Sequence, residues 1–278
     1  MDTQILKTFV ALAEHKSFTK TADALFISQS TVTNRISDLE KETGKLLFDR
    51  NKRRVTLTKE GEIFLNYAKR IIELSNAGIQ DINSLNKYPY TLKIGTTNTI
   101  YECHLFPKIK EYMRSNPDNA VKITIGHSND LIQGIQDSLF DVVYSYIPLH
   151  KSGYKCEVFS VDKLVLAANA SNSNFKDGIY KKQLPDANYL YCNFALREVG
   201  MFIRELFPPH YQFGFEIDNS TKLIPYIFEF DGISFIPESL AKPYIEEGRL
   251  QSIRLLDFDA PKINCYKIYH TSNPDKNF

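Results

Sequence analysis

Short, uncharged polar side chains crowd one part of the sequence between positions 28 and 37. At the period of a helix they fall on one side, opposite the apolar residues Val32, Ile36 and Leu39. They are Gln29, Ser30, Thr33, Asn34 and Ser37. Amide and hydroxyl groups can pair with the edges of DNA bases, and Gln and Asn favour adenine. The pattern predicts a helix face that reads DNA, although a solvated face in any α-rich domain could look similar.

Positive charge is concentrated just after this segment. Between positions 45 and 54, Asp49 alone opposes five cations, which are Lys45, Arg50, Lys52, Arg53 and Arg54. Residues 1–90 hold 14 Lys and Arg against 11 Asp and Glu, a net charge of +3, whereas residues 91–278 hold 20 against 22, a net of −2. A local basic patch in a nearly neutral protein indicates a phosphate contact, and a solvated loop is the alternative.

Three short helices are predicted around the polar segment. The first begins after Asp2 or Thr3 as cap, and the second runs over 19–25 with Ser17 or Thr19 as cap and with Ala22, Leu25 and Phe26 facing inward. Ser28 caps the third, which runs to Thr43 before Gly44. Two helices joined this tightly form a helix-turn-helix, whose second helix can enter the DNA major groove.

A small hairpin and a long helix follow. The apolar stretches 46–48 and 55–57 flank the cations, which predicts a wing whose tip contacts phosphates or the minor groove. Thr58 then caps a helix over about 59–86 that Gly78 interrupts and that carries apolar residues at near-heptad spacing. Such a stripe indicates pairing between subunits or packing against the following domain.

The remaining sequence alternates strands and helices, which indicates a mainly parallel sheet. Tyr88-Pro89-Tyr90 ends the long helix, and strands are predicted over 92–95, 121–125, 141–146, 163–168, 232–237 and 267–270. Helices are predicted over 103–115, 129–139, 198–206 and 220–229. Thr96, Thr97, Asn98 and Thr99 lie at the end of the first of these strands, where ligands of open α/β sheets bind. These side chains suit a carboxylate or another small polar anion, or they simply cap the next helix.

An ordered series of residues over more than forty positions resembles the DNA-binding signature of LysR-type transcriptional regulators. The matching residues are Ser17-Phe18-Thr19, Thr21-Ala22, Leu25, Ile27-Ser28-Gln29-Ser30, Val32-Thr33, Ile36, Leu39-Glu40, Gly44, Leu47-Phe48, Arg50, Leu57-Thr58 and Gly61. Thr33 stands where the family commonly has serine, and Asn34-Arg35 also departs from the usual pair. These departures concern operator preference.

The resemblance implies an α plus α/β architecture in three parts. These are a winged helix-turn-helix over 1–58, a linker and dimerisation helix over 59–88, and a two-lobed α/β effector domain of the periplasmic-binding-protein type. The first lobe would comprise 91–160 and 266–278, and the second 161–265, with the chain crossing between lobes near Ser160 and Tyr266.

The resemblance also assigns roles to residues of this sequence. The DNA contacts would be Ser28, Gln29, Ser30, Thr33, Asn34, Arg35, Ser37, Arg50, Lys52, Arg53 and Arg54. The effector contacts would be Thr96, Thr97, Asn98, Thr99, Ser128, Asn129, Tyr146, Pro148, Asn193, Phe194, Arg197, Ser220 and Thr221. The implied partners are double-stranded DNA with paired half-sites, a small-molecule effector, further copies in a homodimer and homotetramer, and RNA polymerase if the protein is an activator. No cofactor and no metal is implied.

Several alternatives remain open at this stage. Cys103 and Cys192 fall near the expected cleft, so a thiol-sensing regulator is one alternative, and an effector-independent DNA-binding protein is another. Arg197 would favour an acidic effector if it faced the cleft, whereas pairing with Glu198 or Glu205 on the surface is the commoner fate. An enzyme is not expected, because the sequence has no G-x-S-x-G, phosphate-loop lysine or H-E-x-x-H motif and its six histidines lie far apart.

Composition bounds these hypotheses. The 278 residues are 43% hydrophobic and 24% charged, which excludes disorder as the dominant state. No run approaches the roughly 18 apolar residues of a membrane helix, and the amino terminus does not resemble a signal peptide. The four cysteines, at 103, 156, 192 and 265, form no C-x-x-C pair. We therefore expect a cytoplasmic protein without disulfides and without membrane contact.

Overall fold

The computed structural model describes residues 2–49, 55–84, 88–193 and 198–272. The chain divides into two compact units between Lys87 and Tyr88. Helices of the first unit are α1 (Thr3–His15), α2 (Phe18–Leu25), α3 (Gln29–Thr43) and α4 (Lys59–Ser84), and its strands are β1 (Phe48–Asp49) and β2 (Thr56–Leu57). Among the described residues, no helix combines the length and the apolar character needed to cross a membrane.

The three short helices form because each has a cap and an apolar stripe. Asp2 accepts the backbone N–H of Gln4, Ser17 that of Lys20 and Ser28 that of Thr31. Of the predicted alternatives, Asp2 and not Thr3 caps α1 and Ser17 and not Thr19 caps α2, and the predicted cap Ser28 is confirmed. The apolar stripes of these helices pack together with α4 in one core. The largest fully buried side chains of this core are Phe9, Phe48, Leu6, Leu12, Ile36, Leu39 and Leu47. The order of the elements is the predicted helix-turn-helix followed by a hairpin.

Phe26 does not face inward as the sequence predicted. It follows α2 in the left-handed region at φ +55° and is 95% exposed, while Ala22 is buried. The reason is geometric, because the left-handed C-cap ends the helical periodicity on which the prediction depended. The apolar character of Phe26 therefore does not predict whether its side chain is buried or exposed.

Glu40, near the carboxyl-terminal end of α3, connects this helix to the first strand of the hairpin. Its carboxylate is buried, and Oε1 accepts hydrogen bonds from the backbone N–H groups of Leu47 at 2.9 Å and Phe48 at 3.2 Å. A carboxylate that accepts two backbone N–H groups is a strong acceptor in a buried site. The strands β1 and β2 then pair antiparallel, with Phe48 opposite Leu57.

Helix α4 is continuous over its 26 residues, so the predicted interruption at Gly78 is wrong. A single glycine weakens a helix by only about 1 kcal/mol and does not by itself break it. One face of α4 packs on the unit through Phe64, Leu65, Ala68 and Ile72. Other large apolar side chains of α4 are exposed, namely Ile63, Tyr67, Ile71, Leu74, Ile79 and Ile82.

The second unit is built on a curled seven-stranded sheet with helices packed against it. Its strands are β3 (Thr91–Thr96), β4 (Ala120–Ile125), β5 (Val142–Ser145), β6 (Tyr154–Asn169), β9 (Ile233–Pro237), β10 (Leu250–Ile253) and β11 (Lys262–His270). A separate parallel pair is formed by β7 (Tyr191–Cys192) and β8 (Glu216–Ile217). The helices are α5 (Asn98–Ile100), α6 (Phe106–Ser115), α7 (Ser128–Gln136), α8 (Glu198–Glu205), α9 (Ser220–Glu229) and α10 (Glu238–Glu246). A π-helical turn, Tyr101–Leu105, joins α5 to α6, and a 3₁₀ helix spans Lys181–Asp186.

Two long antiparallel strands run through the whole sheet. Four of its six described strand pairings are antiparallel, so the predicted mainly parallel sheet is wrong; the alternation of strand and helix gives parallel pairing only among β3, β4 and β5. Strand order is β10-β6-β11-β5-β3-β4, with β9 also on β6, and β3 is parallel to β4 and β5. The register between β6 and β11 shifts at Cys265/Tyr266, opposite Ser160 and Val158. Apolar residues form separate cores on the two sides of this shift, one built on β3, β5 and their helices and a larger one on β6, β9 and α9. We call them the first lobe and the second lobe.

Several elements differ from their sequence predictions. Strands β6 and β11 are much longer than predicted, and the predicted helix over 103–115 begins with the π-helical turn. Helix α10 and strand β10 were not predicted at all. Pro237 directly precedes α10 and Pro243 lies inside it, which hides the helical pattern.

Alanine substitutions at two glycines of α4 test the packing of the first unit, one as the test and the other as its control. A Cβ on Gly61 would lie 2.1 Å from the Leu47 carbonyl oxygen, whereas one on Gly78 would meet nothing within 4 Å. We expect Gly61→Ala to destabilise this unit by at least about 2 kcal/mol, because the contacted atom is backbone and cannot move aside cheaply. Gly78→Ala should instead stabilise α4 by about 0.5–1 kcal/mol.

Hydrogen exchange of the full chain in a denaturant series, followed on peptides of α1, α3 and α4, measures both changes. Equal opening free energies for Gly61→Ala and the unaltered protein would contradict this description of the contact between α4 and the wing.

Candidate functional site

Helix α3 begins with a compact hydroxyl network around its cap. Ser28 Oγ accepts the backbone N–H of Thr31 at 3.1 Å and lies 2.8 Å from both the Ser30 hydroxyl and the Thr31 hydroxyl. These bonds hold the first turn of α3 in one conformation. The unpaired N–H groups of a helix start and its dipole also favour a nearby anion such as a DNA phosphate.

The burial of α3 divides its residues as the sequence pattern predicted. Val32, Ile36 and Leu39 are fully buried, while the side chains of Ser28, Gln29, Ser30 and Asn34 are exposed. Thr33 and Ser37 are half-buried on the border of the two faces, and the Thr33 hydroxyl donates to the Gln29 carbonyl oxygen at 3.0 Å. The structure thus brings the short polar side chains to one solvent-facing flank of α3, which we call the polar flank.

Arg35 has a different environment from the rest of the predicted DNA contacts. It is half-buried, and its Nη1 donates to the Thr8 hydroxyl on α1 at 3.0 Å. Thr8 is itself fully buried and donates to the Gln4 carbonyl oxygen. Arg35 therefore links α3 to α1 through one N–H group of its guanidinium. The remaining N–H groups are available to a partner.

The structure describes the two strands of the predicted wing but not residues 50–54, which lie between them. Asp49 and Thr56 are the last described pair of the hairpin. The predicted phosphate contacts Arg50, Lys52, Arg53 and Arg54 lie outside the described residues. Their predicted phosphate contacts therefore rest on the charge pattern of the sequence.

In the second unit, the carboxyl ends of two parallel strands meet at a small cavity between the lobes. Its volume is about 180 Å³. The lining residues are Thr97, Asn98, Thr99, Ile125, Gly126, His127, Ser128, Asp218 and Asn219. A parallel sheet places strand ends together at one edge, which explains why the turns after β3 and β4 both contribute.

Hydrogen bonds join the two lobes at this cavity. Asn98 Nδ2 donates to Thr221 Oγ1 at 2.5 Å and lies 3.4 Å from Asn219 Oδ1. The hydroxyls of Thr99 and Ser220 lie 2.6 Å apart and are both buried. Four residues that the sequence predicted as effector contacts are thus brought together in two pairs, one member of each pair from each lobe.

A contact between a histidine and an aspartate spans the same cavity. His127 Nε2 lies 3.4 Å from Asp218 Oδ2, and both side chains are more than half exposed. His127 directly precedes α7, and Asp218 precedes Asn219, the N-cap of α9. Neither residue was among the predicted effector contacts. The signal was present, because each residue directly follows a strand or precedes a helix, which are the positions that line such clefts.

The other predicted effector residues lie in different places. Thr96 is fully buried and its hydroxyl donates to the Thr97 carbonyl oxygen, so it does not line the cavity. Asn129 is exposed outside the lining, and Pro148 is half-buried and also outside it. The backbone N–H of Tyr146 donates to Ser128 Oγ at 3.4 Å, which places Tyr146 behind the lining.

Asn193, which directly follows β7, lies in another part of the second lobe. Asn193 lines a separate open cavity of about 660 Å³ with Tyr191, Arg204 and residues of α8. Phe194 and Arg197 lie outside the described residues. The described structure therefore does not bring Asn193 together with Thr97 and Ser128.

Burial disfavours the reactive form of both cysteines that were predicted as alternative sensors. Burial raises the pKa of the Cys103 thiol to about 11, more than the hydrogen bond with Ser239 lowers it. Cys192 is 1% exposed within the core of the second lobe. Thiolate is the reactive form of cysteine, so burial works against thiol sensing at both positions.

The buried carboxylate of Asp162, near Cys103, is held by hydrogen bonds. Asp162 accepts the backbone N–H groups of Lys163 and Ser239 and the Ser239 hydroxyl, and His104 Nε2 lies 3.7 Å away. Burial raises the pKa of Asp162, but these hydrogen bonds lower it more, so the net direction is downward. Ser239 points its proton at the carboxylate and not at His104, so the group is not arranged as a nucleophile with its base. Among the described residues, no three His, Cys, Asp or Glu side chains could share a metal ion.

Each of the two units matches a known protein family. Residues 3–62 match the family described as "Bacterial regulatory helix-turn-helix protein, lysR family", and residues 88–277 match "LysR substrate binding domain". The HTH-type transcriptional regulator CitR of Bacillus subtilis strain 168 is 28% identical over 280 aligned residues, which cover 96% of this chain and 93% of that protein.

Solved structures of the same family share the fold. The crystal structure of CbnR, a LysR family transcriptional regulator, superposes with a TM-score of 0.70 at 20% identity over 98% of this chain and 94% of that chain. Full-length CbnR complexed with its target DNA gives 0.68 at 20% identity over 99% and 96%. Since the two family matches cover the polar flank of α3 and the whole second unit, the chain belongs to the LysR family of DNA-binding transcriptional regulators.

Proposed function

We propose that the polar flank of α3 reads the operator in the DNA major groove. The observation that carries this proposal is the division of α3 into a buried apolar stripe and an exposed flank that starts at the Ser28 cap. Gln29, Ser30 and Asn34 offer amide and hydroxyl groups on that flank, which suit base edges better than the Lys and Glu of an ordinary solvated face. Arg50, Lys52, Arg53 and Arg54 of the wing contact phosphates in this proposal.

Footprinting on the promoter region of the protein's own gene tests the proposal directly. A dimer should protect paired half-sites on one face of the duplex, spaced by about one helical turn or a multiple of it. The absence of any paired protection, together with equal affinity for all duplexes, would overturn it.

Two substitutions separate base reading from phosphate contact. We expect Arg53→Ala to weaken binding to every duplex and to reduce the slope of log K against log salt by about 1, because one counterion fewer is released. Gln29→Ala should chiefly relax base preference, by about 1–3 kcal/mol at one position of the site. Fluorescence anisotropy with footprinted and random duplexes over a salt series measures both. Identical losses for the two variants on both duplexes would argue against this division of roles.

We propose that α4 joins two copies of the chain, and that dimers associate further into tetramers. Support comes from the exposed apolar side chains of α4, of which Tyr67 and Leu74 lie one heptad apart on the same face. This face is turned away from Phe64, Ala68 and Ile72, which pack on the unit itself, so it is available to a second copy.

Charge on this face should separate the subunits. We expect Leu74→Glu to shift a dimer toward monomer at micromolar concentration, because a carboxylate would be buried in the apolar seam without a partner. Asn76→Glu is the control, since Asn76 is exposed and lies on another side of α4. Sedimentation velocity measures the change. Equal sedimentation of both variants and the unaltered protein would place the subunit contact elsewhere.

We propose that a small polar effector binds in the cavity between the lobes and that it is an anion. The volume of about 180 Å³ corresponds to roughly six waters at ~30 Å³ each, which supports a small ligand. Hydroxyl and amide groups of Thr97, Asn98 and Ser128 support a polar one. The start of α7 beside the cavity favours negative charge, and an anion would lie on that side, away from Asp218.

The lobe boundaries of the sequence analysis belong to the same proposal. The register shift opposite Ser160 supports a change of lobe there and near Tyr266. In this proposal the first lobe comprises 91–160 and 266–278 and the second 161–265. The effector then acts only through its different affinity for two arrangements of the lobes.

Thr97 provides the test of the cavity. A thermal-shift panel of small carboxylates, amino acids and neutral polyols first identifies a stabilising compound, since a ligand at 100 times its Kd stabilises by about 2.7 kcal/mol. We expect Thr97→Val to abolish that shift and to leave the affinity for DNA without effector intact. Thr271→Val is the matched control, because its hydroxyl bonds the Gly153 carbonyl oxygen outside the cavity lining.

An unchanged thermal shift in Thr97→Val would mean that the effector site lies elsewhere. Stabilisation by neutral polyols and not by carboxylates would contradict the anionic class alone. No shift with any compound would favour an effector-independent regulator.

A further inference from the structure

We propose that Thr19 on α2 is a positioning residue that sets the direction of the Gln29 amide before DNA is bound. The inference rests on the proposed role of Gln29 as a base contact. The Thr19 hydroxyl donates to Gln29 Oε1 at 3.2 Å, across the turn of the helix-turn-helix. It is a side-chain bond between the two helices of the motif, and one of its members belongs to the polar flank.

The bond is not needed to form either helix. Ser17 caps α2 by accepting the N–H of Lys20, and Ser28 caps α3 by accepting the N–H of Thr31. Both Thr19 and Gln29 have exposed side chains, so the bond adds little to the packing of the unit. Its consequence therefore falls on the direction of the Gln29 side chain.

A glutamine side chain at the surface is otherwise poorly ordered. Its terminal amide rotates through a broad, roughly two-fold profile, and ordering a long polar side chain costs up to about 2 kcal/mol. A bond from Thr19 to Oε1 removes much of that freedom in the unbound protein. Binding then loses less conformational entropy, which is the general advantage of preorganisation.

The direction of the amide also has a chemical consequence. With Oε1 turned toward Thr19, the Nε2 group faces away from α2 and presents two donors. Acceptors on base edges in the major groove are N7 of either purine, O6 of guanine and O4 of thymine. Thr19 thus favours a base that accepts from Gln29, and the second lone pair of Oε1 still allows the bidentate contact with adenine.

The experiment uses the full-length protein and the tightest duplex recovered from a random-sequence selection with that protein. Isosteric Thr19→Val removes the hydroxyl and keeps the branched shape. We expect it to reduce the ratio of affinities for the selected and random duplexes about three- to tenfold, as a single hydrogen bond would. Affinity for the random duplex, its salt slope and the melting temperature should not change. Thr19→Ser should restore the ratio.

Two further measurements identify the mechanism. The double variant Thr19→Val with Gln29→Ala should discriminate no worse than Gln29→Ala alone, because Thr19 acts through the amide. Replacing purines of the selected duplex one at a time by their 7-deaza analogues removes single acceptors. One such replacement should cost the unaltered protein more than it costs Thr19→Val.

Each contrary result has a distinct meaning. If Thr19→Val weakens both duplexes equally and lowers the salt slope, Thr19 contacts a phosphate and the inference is wrong. Additive losses in the double variant also overturn it, while the role of Gln29 stands. If Gln29→Ala itself leaves discrimination intact, the proposed function of the polar flank fails as well.

Discussion

Burial of the apolar stripe of α3 is the constraint on which the DNA-binding unit depends. Successive residues of a helix are rotated by about 100°, so fixing Val32, Ile36 and Leu39 in the core fixes the direction of every other side chain. Phe9 of α1 closes this core through ring contacts with Phe48 and Phe64, both at 5.3 Å between centroids. The polar flank is therefore held by packing that involves none of its own residues.

Polar side chains of this unit add links between its elements. Arg35 bonds Thr8 on α1, Glu40 bonds the backbone at the base of the wing, and Thr19 bonds Gln29. Each of these bonds links two elements that the apolar core already brings together. Rigid support of this kind matters because base reading requires donors and acceptors within a few tenths of an ångström of their partners.

The cleft of the second unit follows a different physical logic. The groups suited to a polar effector are already bonded to one another across the lobes, as Asn98 is to Thr221 and Thr99 to Ser220. A ligand must replace those bonds with bonds of its own, so its net gain is the difference between the two sets. Small differences of this kind are what shift a protein between two arrangements, and the long strands β6 and β11 are the continuous elements shared by both lobes.

Elements with strong local signals follow from the amino-acid sequence alone. The caps Asp2, Ser17 and Ser28, the stripe of α3 and the turn after β3 all depend on neighbours within four residues, and periodicity and capping rules therefore recover them. Features that depend on distant residues emerge only in the folded chain. The bond of Arg35 to Thr8 and the pairing of His127 with Asp218 were not predictable, because residues 8 and 35, or 127 and 218, meet only once the chain has folded. The physical reason is that capping and periodicity are local properties of the backbone, whereas the partner of a polar side chain is set by which helices and strands pack against it.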